Sequence, residues 1–260
     1  MASYSSYRAL VTEEIADGTL VDTNFHPDTA KQFGVLWVFG DPGACTTGCC
    51  CYWTVPSYVQ KVTFEIWGAG GNGNGACSCD RCQHYVGAQG GGYITKTIPT
   101  CQGWNYTVCA GGVYRCYSTE CGACNGCTSY VNGCNLSNFC ACGGTNGIGE
   151  SSWNTYCYSD NPYCRGPADN NGDFNLAPMR PGWTGANVFC HCHNQEVQPG
   201  TAPLIGTNVN QQIRECWIRC GCWTVPYGHG GQSAMTTYCG SSCCGQGGTG
   251  GSGLAKITYF

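Results

Sequence analysis

Cysteine and histidine are the residues of this chain whose chemistry is most apparent. There are 26 Cys and five His among 260 residues. Many cysteines lie two residues or fewer apart, a spacing that lets neighbouring thiolates converge on one zinc ion. The candidate ligands are Cys77, Cys79, Cys82, Cys121, Cys124, Cys127, Cys190, His191, Cys192 and His193, and Cys216, Cys220 and Cys222 have similar spacing. No clean pair of C-x2-C motifs stands out. The favoured interpretation is therefore that the chain binds no cofactor, and zinc binding is the alternative.

Disulfide bonds are the favoured use of the cysteines. A cysteine content near 10% is typical of scaffolds in which bridges compensate for a small core. Adjacent cysteines, as in Cys243-Cys244, cannot readily bond to each other, so each is expected to reach a different strand or subunit. The disulfide candidates are Cys45, Cys49, Cys50, Cys51, Cys101, Cys109, Cys116, Cys134, Cys140, Cys142, Cys157, Cys164, Cys216, Cys220, Cys222, Cys239, Cys243 and Cys244. Their connectivity, within or between subunits, stays open.

Catalytic motifs are absent from the sequence. It has neither a nucleophile elbow nor His-Glu-x-x-His, so we predict that the chain is not an enzyme and has no catalytic residues. Gly68 to Gly73 formally match G-x-G-x-x-G, but the following Asn-Gly-Ala-Cys-Ser-Cys cannot begin the helix that a dinucleotide site requires. These glycines are instead expected to permit positive φ angles and close backbone packing in a loop.

Tyrosine and tryptophan are abundant, with 24 residues in all. Many lie beside Gly or Asn, where flat rings with polar tips suit contacts with sugars or proteins. The candidate surface contacts are Tyr114, Tyr117, Tyr130, Trp153, Tyr156, Tyr158 and Tyr163. The alternative is that these rings form the core in place of leucine.

The composition excludes several classes of protein. Leu, Ile, Val and Phe supply only 39 of the 260 residues, which is too few for an ordinary aliphatic core, whereas Gly supplies 41. The eleven Lys and Arg are scattered singly and the net charge is −4, so the chain has no basic stripe for nucleic acid. No apolar run approaches the roughly 18 residues of a membrane span.

Short alternating segments predict the elements that position these residues. Val62, Phe64 and Ile66 alternate with polar neighbours, as expected of a strand with one buried face. The predicted strands are Phe33 to Phe39, Lys61 to Trp67, Tyr93 to Ile98, Trp104 to Val108, Glu215 to Ile218 and Leu254 to Tyr259. We therefore predict an all-β fold, a glycine-rich, jelly-roll-like β-sandwich with long disulfide-cross-linked loops.

The sequence divides into two regions. Residues 1–43 contain no Cys and six of the fifteen acidic residues, and Tyr7 to Ala16 could form a short helix. We interpret them as an arm that attaches to a particle, or equally as the first piece of one domain. Residues 44–260 form the Cys- and Gly-rich β domain, with a long Cys-rich insertion at about 115–200 that shows almost no strand-like alternation.

The amino terminus bears on where the cysteines could be oxidised. Met1 to Leu10 lack the cationic and apolar regions of a secretory signal peptide, although the cysteine content is typical of secreted scaffolds. Two routes reconcile these facts. Either the thiols bind metal in the cytosol, or the protein is made in a host cytoplasm and oxidised after release by lysis, as virus particles are.

Four ordered segments resemble the glycine-rich domains of tailed-phage fibres and related virion proteins. Residues 53–71, which read WTVPSYVQKVTFEIWGAGG, resemble the opening of those domains. Residues 90–98 (GGGYITKTI) and 104–112 (WNYTVCAGG) resemble the part that follows, and residues 247–259 (GGTGGSGLAKITY) resemble the end.

The resemblance implies a β-rich virion protein, commonly trimeric, that acts in host recognition or in particle structure. We expect a tail-fibre protein or surface adhesin located in the virion, with other virion proteins bound through residues 1–43 and a host-surface glycan or protein as its target. The alternatives are a head-decorating or cement protein and an intracellular Cys-rich metal-binding protein. The resemblance supplies no catalytic residue.

Overall fold

The computed structural model describes twelve parts of the chain. These are residues 33–41, 49–73, 76–78, 84–113, 124–150, 171–177, 195–196, 202–205, 212–213, 226–231, 243–245 and 247–260. Their regular elements are fifteen strands, and no helix occurs among the described residues. The all-β prediction is therefore confirmed.

The strands are numbered in chain order. They are β1 (Gly34–Phe39), β2 (Cys49–Thr54), β3 (Lys61–Trp67), β4 (Ala76–Ser78), β5 (His84–Val86), β6 (Tyr93–Pro99), β7 (Asn105–Ala110), β8 (Ser129–Gly133), β9 (Leu136–Ala141), β10 (Ile148–Glu150), β11 (Phe174–Leu176), β12 (Gln195–Glu196), β13 (Gln212–Ile213), β14 (Cys243–Gly245) and β15 (Leu254–Tyr259).

Two antiparallel sheets contain most of the longer strands. The five-stranded sheet has the order β1-β15-β3-β6-β11, and the four-stranded sheet has the order β2-β7-β8-β9. Three two-stranded ladders pair β4 with β14, β5 with β10 and β12 with β13. The edge strands of the larger sheets are thus β1, β11, β2 and β9.

One hydrophobic core is shared by the two sheets. Val62, Phe64 and Ile66 of β3 are fully buried, which follows from the period of two in that strand. Aromatic rings link the sheets, because Phe64 contacts Tyr106 of β7 and Phe139 of β9 at centroid distances of 5.1 and 6.5 Å. Aromatic residues thus replace part of the missing leucine.

Most predicted strands are found close to their predicted bounds. β3 and β15 coincide with the predictions, β6 extends to Pro99, β7 is shifted to Asn105–Ala110, and β1 begins at Gly34. The predicted helix at 7–16 and the predicted strand at 215–218 lie outside the described residues.

Five strands, β8 to β12, occur where almost no strand character was expected. β8 and β9, within the 115–200 region, form half of the four-stranded sheet and contribute Val131 and Phe139 to the core. The reason is that their apolar positions are few and separated by Asn, Ser and Gly, so the alternation is weak. Their burial is decided by the neighbouring β7 and by the opposite sheet.

β1 is an integral part of the five-stranded sheet. It pairs with β15 along its whole length, and Val38 is buried in the shared core. The end of the 1–43 region therefore belongs to the β domain, as one of its two interpretations proposed. Attachment to a particle through this region stays a prediction, and so does the jelly-roll-like sandwich topology.

Among the described residues, no helix has the length and hydropathy needed to span a membrane.

Candidate functional site

Seven glycine-rich segments lie side by side at one end of the two sheets. They are residues 68–73, 87–92, 111–113, 124–128, 142–147, 226–231 and 247–253, and we call them the glycine bundle. Six of them continue a strand of the two sheets directly, since β3, β7 and β9 end where a segment begins and β6, β8 and β15 begin where one ends. The bundle therefore extends both sheets from the same end.

The hydrogen bonds of the bundle repeat every three residues. In segment 68–73, successive backbone N–H groups donate to three different neighbours, and residues three apart donate to the same one. Gly68 and Gly71 bond to segment 87–92, whereas Gly70 and Gly73 bond to segment 247–253. Three residues per turn without internal hydrogen bonds is the geometry of polyproline II. Each segment can thus hold several neighbours at once, which a flat strand cannot do.

Glycine is required in the bundle because the backbones touch. A Cβ atom on Gly70 would overlap the carbonyl oxygen of His229, and one on Gly71 would overlap that of Thr145. Close backbone packing was therefore predicted correctly for residues 68–73. The prediction of positive φ angles for these residues was wrong, since the glycines with positive φ among the described residues are Gly103 and Gly228.

Buried polar side chains complete the hydrogen bonding of the bundle. Asn72 Oδ1 accepts a 2.9 Å bond from the Gly250 N–H, and Gln89 Oε1 accepts a 3.1 Å bond from the Thr145 hydroxyl. Ser129 lies at the junction with the sheets. With their backbone groups satisfied, the segments form a well-connected support.

Most of the predicted contact residues lie between parts of the chain that the structure describes, at residues 114–123 and 151–170. The chain leaves the described residues after Val113 and Glu150, and it returns at Cys124 and Asn171. Six of the seven candidate contact residues lie outside the described residues, namely Tyr114, Tyr117, Trp153, Tyr156, Tyr158 and Tyr163. Tyr130, the seventh, lies on β8, with its hydroxyl 3.9 Å from Cys50 Sγ. It belongs to a sheet face rather than to a loop.

A disulfide joins Cys50 of β2 to Cys109 of β7, as predicted for these two cysteines. The two residues are direct partners in the β2–β7 register. Residues directly opposite in an antiparallel pair bring their Cβ atoms close together on one face, which favours a bond between them.

The structure describes some of the other disulfide candidates but not all of them. Cys49, Cys51, Cys101 and Cys134 carry free thiols, so the bridges predicted for them are not found. For Cys49 and Cys51 the reason is the register, because their β7 partners are Ala110 and Val108. Cys140 lies on β9 and Cys142 directly follows it, while Cys243 and Cys244 lie on β14. Those outside the described residues are Cys45, Cys116, Cys157, Cys164, Cys216, Cys220, Cys222 and Cys239.

Three of the candidate zinc ligands lie among the described residues. Cys77 lies on β4, and Cys124 and Cys127 lie in the glycine bundle, where their carbonyl oxygens accept bonds from Asn72 and Ala69. Within the part of the chain that the structure describes, no group of three His, Cys, Asp or Glu could hold a metal ion. The remaining candidates lie outside that part, and they are Cys79, Cys82, Cys121, Cys190, His191, Cys192 and His193.

The sequence did not single out an aromatic surface on the outer face of β1. Trp37 and Phe39 are about half exposed, and their rings lie 6.5 Å apart at an interplanar angle of 17°. Tyr227 approaches the Phe39 ring to 5.3 Å. The available signal was the alternation of Val35, Trp37 and Phe39, which places all three on one side of the strand.

A charged pair lies beside this aromatic surface. Lys256 forms a 2.7 Å ion pair with Glu65, and its Nζ lies 5.6 Å from the centre of the Trp37 ring. The hydroxyl of Tyr93 donates to Glu65 Oε1 at 3.1 Å. Burial, reinforced by the negative charge of Glu65, raises the pKa of Tyr93 to about 12. Tyr93 thus stays protonated and donates at neutral pH.

No protein-family model matches the chain, and no curated protein matches it either.

Proposed function

We propose that this chain is a structural protein of a virus particle, a tail-fibre protein or surface adhesin of a tailed phage. The observation that carries the proposal is the three-residue repeat of hydrogen bonds in the glycine bundle. A bundle continuous with two sheets is a stiff support, because each segment is held by several neighbours rather than by one or two. Such a support suits a protein that presents loops away from its base.

The loops supply the proposed contacts with the host. They include most of the Tyr and Trp candidates, and rings of this kind bind glycans and proteins with little loss of conformational entropy. We propose a host-surface glycan or protein as the target, residues 1–43 as the attachment to other virion proteins, and a homotrimer as the assembly. Oxidation after lysis suits the Cys50–Cys109 disulfide.

Proteomics of purified particles tests the virion assignment. We expect peptides of this chain in particles of the virus that encodes it, at a few trimers per particle. Hundreds of copies per particle would favour the head-decorating alternative. Absence from particles, together with stoichiometric zinc in the purified protein, would overturn the proposal in favour of the metal-binding alternative.

Competition with phage adsorption tests the contact role. We expect the purified chain to reduce adsorption of the phage to its host, and Tyr156→Ala with Tyr158→Ala to weaken this effect at least several-fold. Tyr52→Ala is the matched control, because Tyr52 is 85% exposed on β2 and is not one of the loop residues proposed to make contact. An equal loss in both variants, or no competition by the native chain, would contradict the proposal.

A further inference from the structure

The same antiparallel register holds in the five-stranded sheet, in the glycine bundle and in the β4–β14 ladder. In each of these three places, a step of one residue forward on the first segment corresponds to a step of one residue backward on its partner, with the same offset throughout. Successive pairs in this register are Trp67 with Leu254, Gly70 with Gly251, Gly73 with Gly248, and Ala76 with Gly245. The ladder therefore continues a pairing that the buried sheet and the bundle already determine.

This register makes Cys77 and Cys244 direct partners. Cα atoms of directly opposite residues in antiparallel strands are about 4.5–5.5 Å apart, within the range that a disulfide spans. Cys50 and Cys109 stand in the same relation in the β2–β7 ladder, and there the bond is present. The neighbouring residue Cys243 is instead the partner of Ser78, which has no sulfur.

We propose that Cys77 and Cys244 form a second disulfide, which closes the glycine bundle at the end remote from the sheets. It would tie segment 68–73 to segment 247–253 just beyond the point where their hydrogen bonds end. The proposal thus assigns Cys77, whose spacing made it a candidate zinc ligand, to a disulfide bond. The proposal is independent of the virion function, because it rests on the register alone.

The bond forms by thiol–disulfide exchange with a small-molecule disulfide such as oxidised glutathione. One cysteine thiolate attacks a glutathione sulfur, forming a mixed disulfide and releasing one glutathione thiolate. The second cysteine thiolate attacks the protein sulfur of that mixed disulfide and releases the second glutathione. Two electrons pass from the protein to glutathione, and the two thiol protons are taken up by the released thiolates.

Peptide mapping of the full chain tests the proposal. The folded protein is incubated with oxidised glutathione, its remaining thiols are alkylated, and it is cleaved after basic and aromatic residues. Cys77 then lies in peptide 68–81 and Cys244 in peptide 239–256. We expect these peptides to be joined, to separate on reduction, and to give fragment ions that place the bond between Cys77 and Cys244. Recovery of both cysteines in alkylated form would overturn the proposal.

Adjacent cysteines provide matched control variants. We expect Cys244→Ser to abolish the joined peptides and Cys243→Ser to leave them intact, since only Cys244 has a cysteine as its partner in the register. The reverse result, or loss in both variants, would contradict the proposed pairing. Mixing isotopically labelled and unlabelled chains identifies a bridge between copies, because joined peptides would then carry both labels. That outcome would also refute a bond within one chain.

Thermal unfolding provides a readout of the structural role. After oxidation we expect the Cys243→Ser protein to melt several degrees above the Cys244→Ser protein, because the bond restricts the unfolded chain. In the presence of reductant the two variants are expected to melt together. Equal melting temperatures under oxidising conditions would show that the bond does not close the bundle, even if it forms.

Discussion

At the scale of single residues, one hydroxyl group satisfies the backbone where the sheets meet the glycine bundle. Ser129 is fully buried, and its Oγ donates to the Trp67 carbonyl oxygen at 2.6 Å. The same oxygen accepts a 2.9 Å bond from the Gly111 N–H. Both backbone groups belong to residues at which a strand passes into the bundle. Ser129 thus links β8 to the ends of β3 and β7.

Replacing Ser129 is expected to destabilise the protein. Ser129→Ala leaves a buried carbonyl and a buried N–H without this partner, which should lower the free energy of unfolding by about 1–3 kcal/mol. Urea denaturation measures the change. Ser137→Ala is the control, since Ser137 is exposed on β9 and its loss should cost less than about 0.5 kcal/mol. Equal midpoints for the two variants would refute the proposed role of Ser129.

The raised pKa of Tyr93 predicts a loss of stability at alkaline pH. In the unfolded chain a tyrosine ionises near pH 10, whereas in the folded protein the pKa of Tyr93 is about 12. Between these values the folded state binds more protons, so the free energy of unfolding falls as pH rises from about 10 to about 12. Denaturation at a series of pH values measures this slope.

Tyr93→Phe tests the origin of that slope. The variant lacks the ionisable hydroxyl, so its stability should fall less steeply over the same pH range. Some slope should remain, because burial also raises the pKa of Tyr106 and of Tyr259. An unchanged slope in the variant would exclude Tyr93 as its source.

At the scale of elements, the glycine bundle depends on contact between backbones. The backbones of neighbouring segments lie so close to segment 68–73 that their carbonyl oxygens occupy the positions where Cβ atoms on its glycines would be. A methyl group therefore has to displace a whole segment rather than a flexible side chain. Sensitivity to substitution should follow these contacts and not the number of glycines in a segment.

Gly70→Ala and Gly103→Ala form a matched pair for this idea. Gly70 faces the His229 carbonyl oxygen, whereas Gly103 has nothing within 4 Å but has a φ of +79°. The positive φ should cost Gly103→Ala about 1–2 kcal/mol. We expect Gly70→Ala to cost more, because the backbone of the bundle must move. Thermal or urea unfolding compares them, and a smaller effect at Gly70 would contradict the packing argument.

At the scale of the whole molecule, the fold combines a hydrophobic core, a hydrogen-bonded bundle and a covalent link. The core of the described residues is one cluster of eighteen buried residues, most of them from the two sheets. The Cys50–Cys109 disulfide lies within the four-stranded sheet and adds to that core. Its effect on stability should act chiefly through the unfolded chain.

Removing this disulfide should lower the stability of the whole protein. The bond joins residues 59 positions apart, so Cys50→Ser with Cys109→Ser should reduce the free energy of unfolding by about 2–5 kcal/mol under oxidising conditions. Denaturant unfolding with and without reductant measures the loss. Cys49→Ser, which changes an exposed free thiol on the same strand, should have little effect. A loss as large in that control would contradict the assignment.

The sequence by itself determined the all-β class and the strands with strict alternation. The bounds of two strands, Lys61 to Trp67 and Leu254 to Tyr259, could be predicted because apolar and polar residues alternate along them. This alternation is visible in the sequence alone. The sequence also indicated that the glycines at 68–73 allow close backbone packing. For the residues that alternate, the spacing along the chain is enough to predict which side chains are buried.

Only the tertiary structure decided which segments are neighbours. The burial of β8 and β9, the pairing of Cys50 with Cys109 and the threefold contacts of the bundle all join residues far apart in the chain. Glycine segments have no side chains to specify a partner, and cysteine spacing is the same for a metal ligand and a disulfide. Among the described residues the register determines which backbone segments of the sheets are neighbours, and for Cys50 and Cys109 it places the two residues opposite each other.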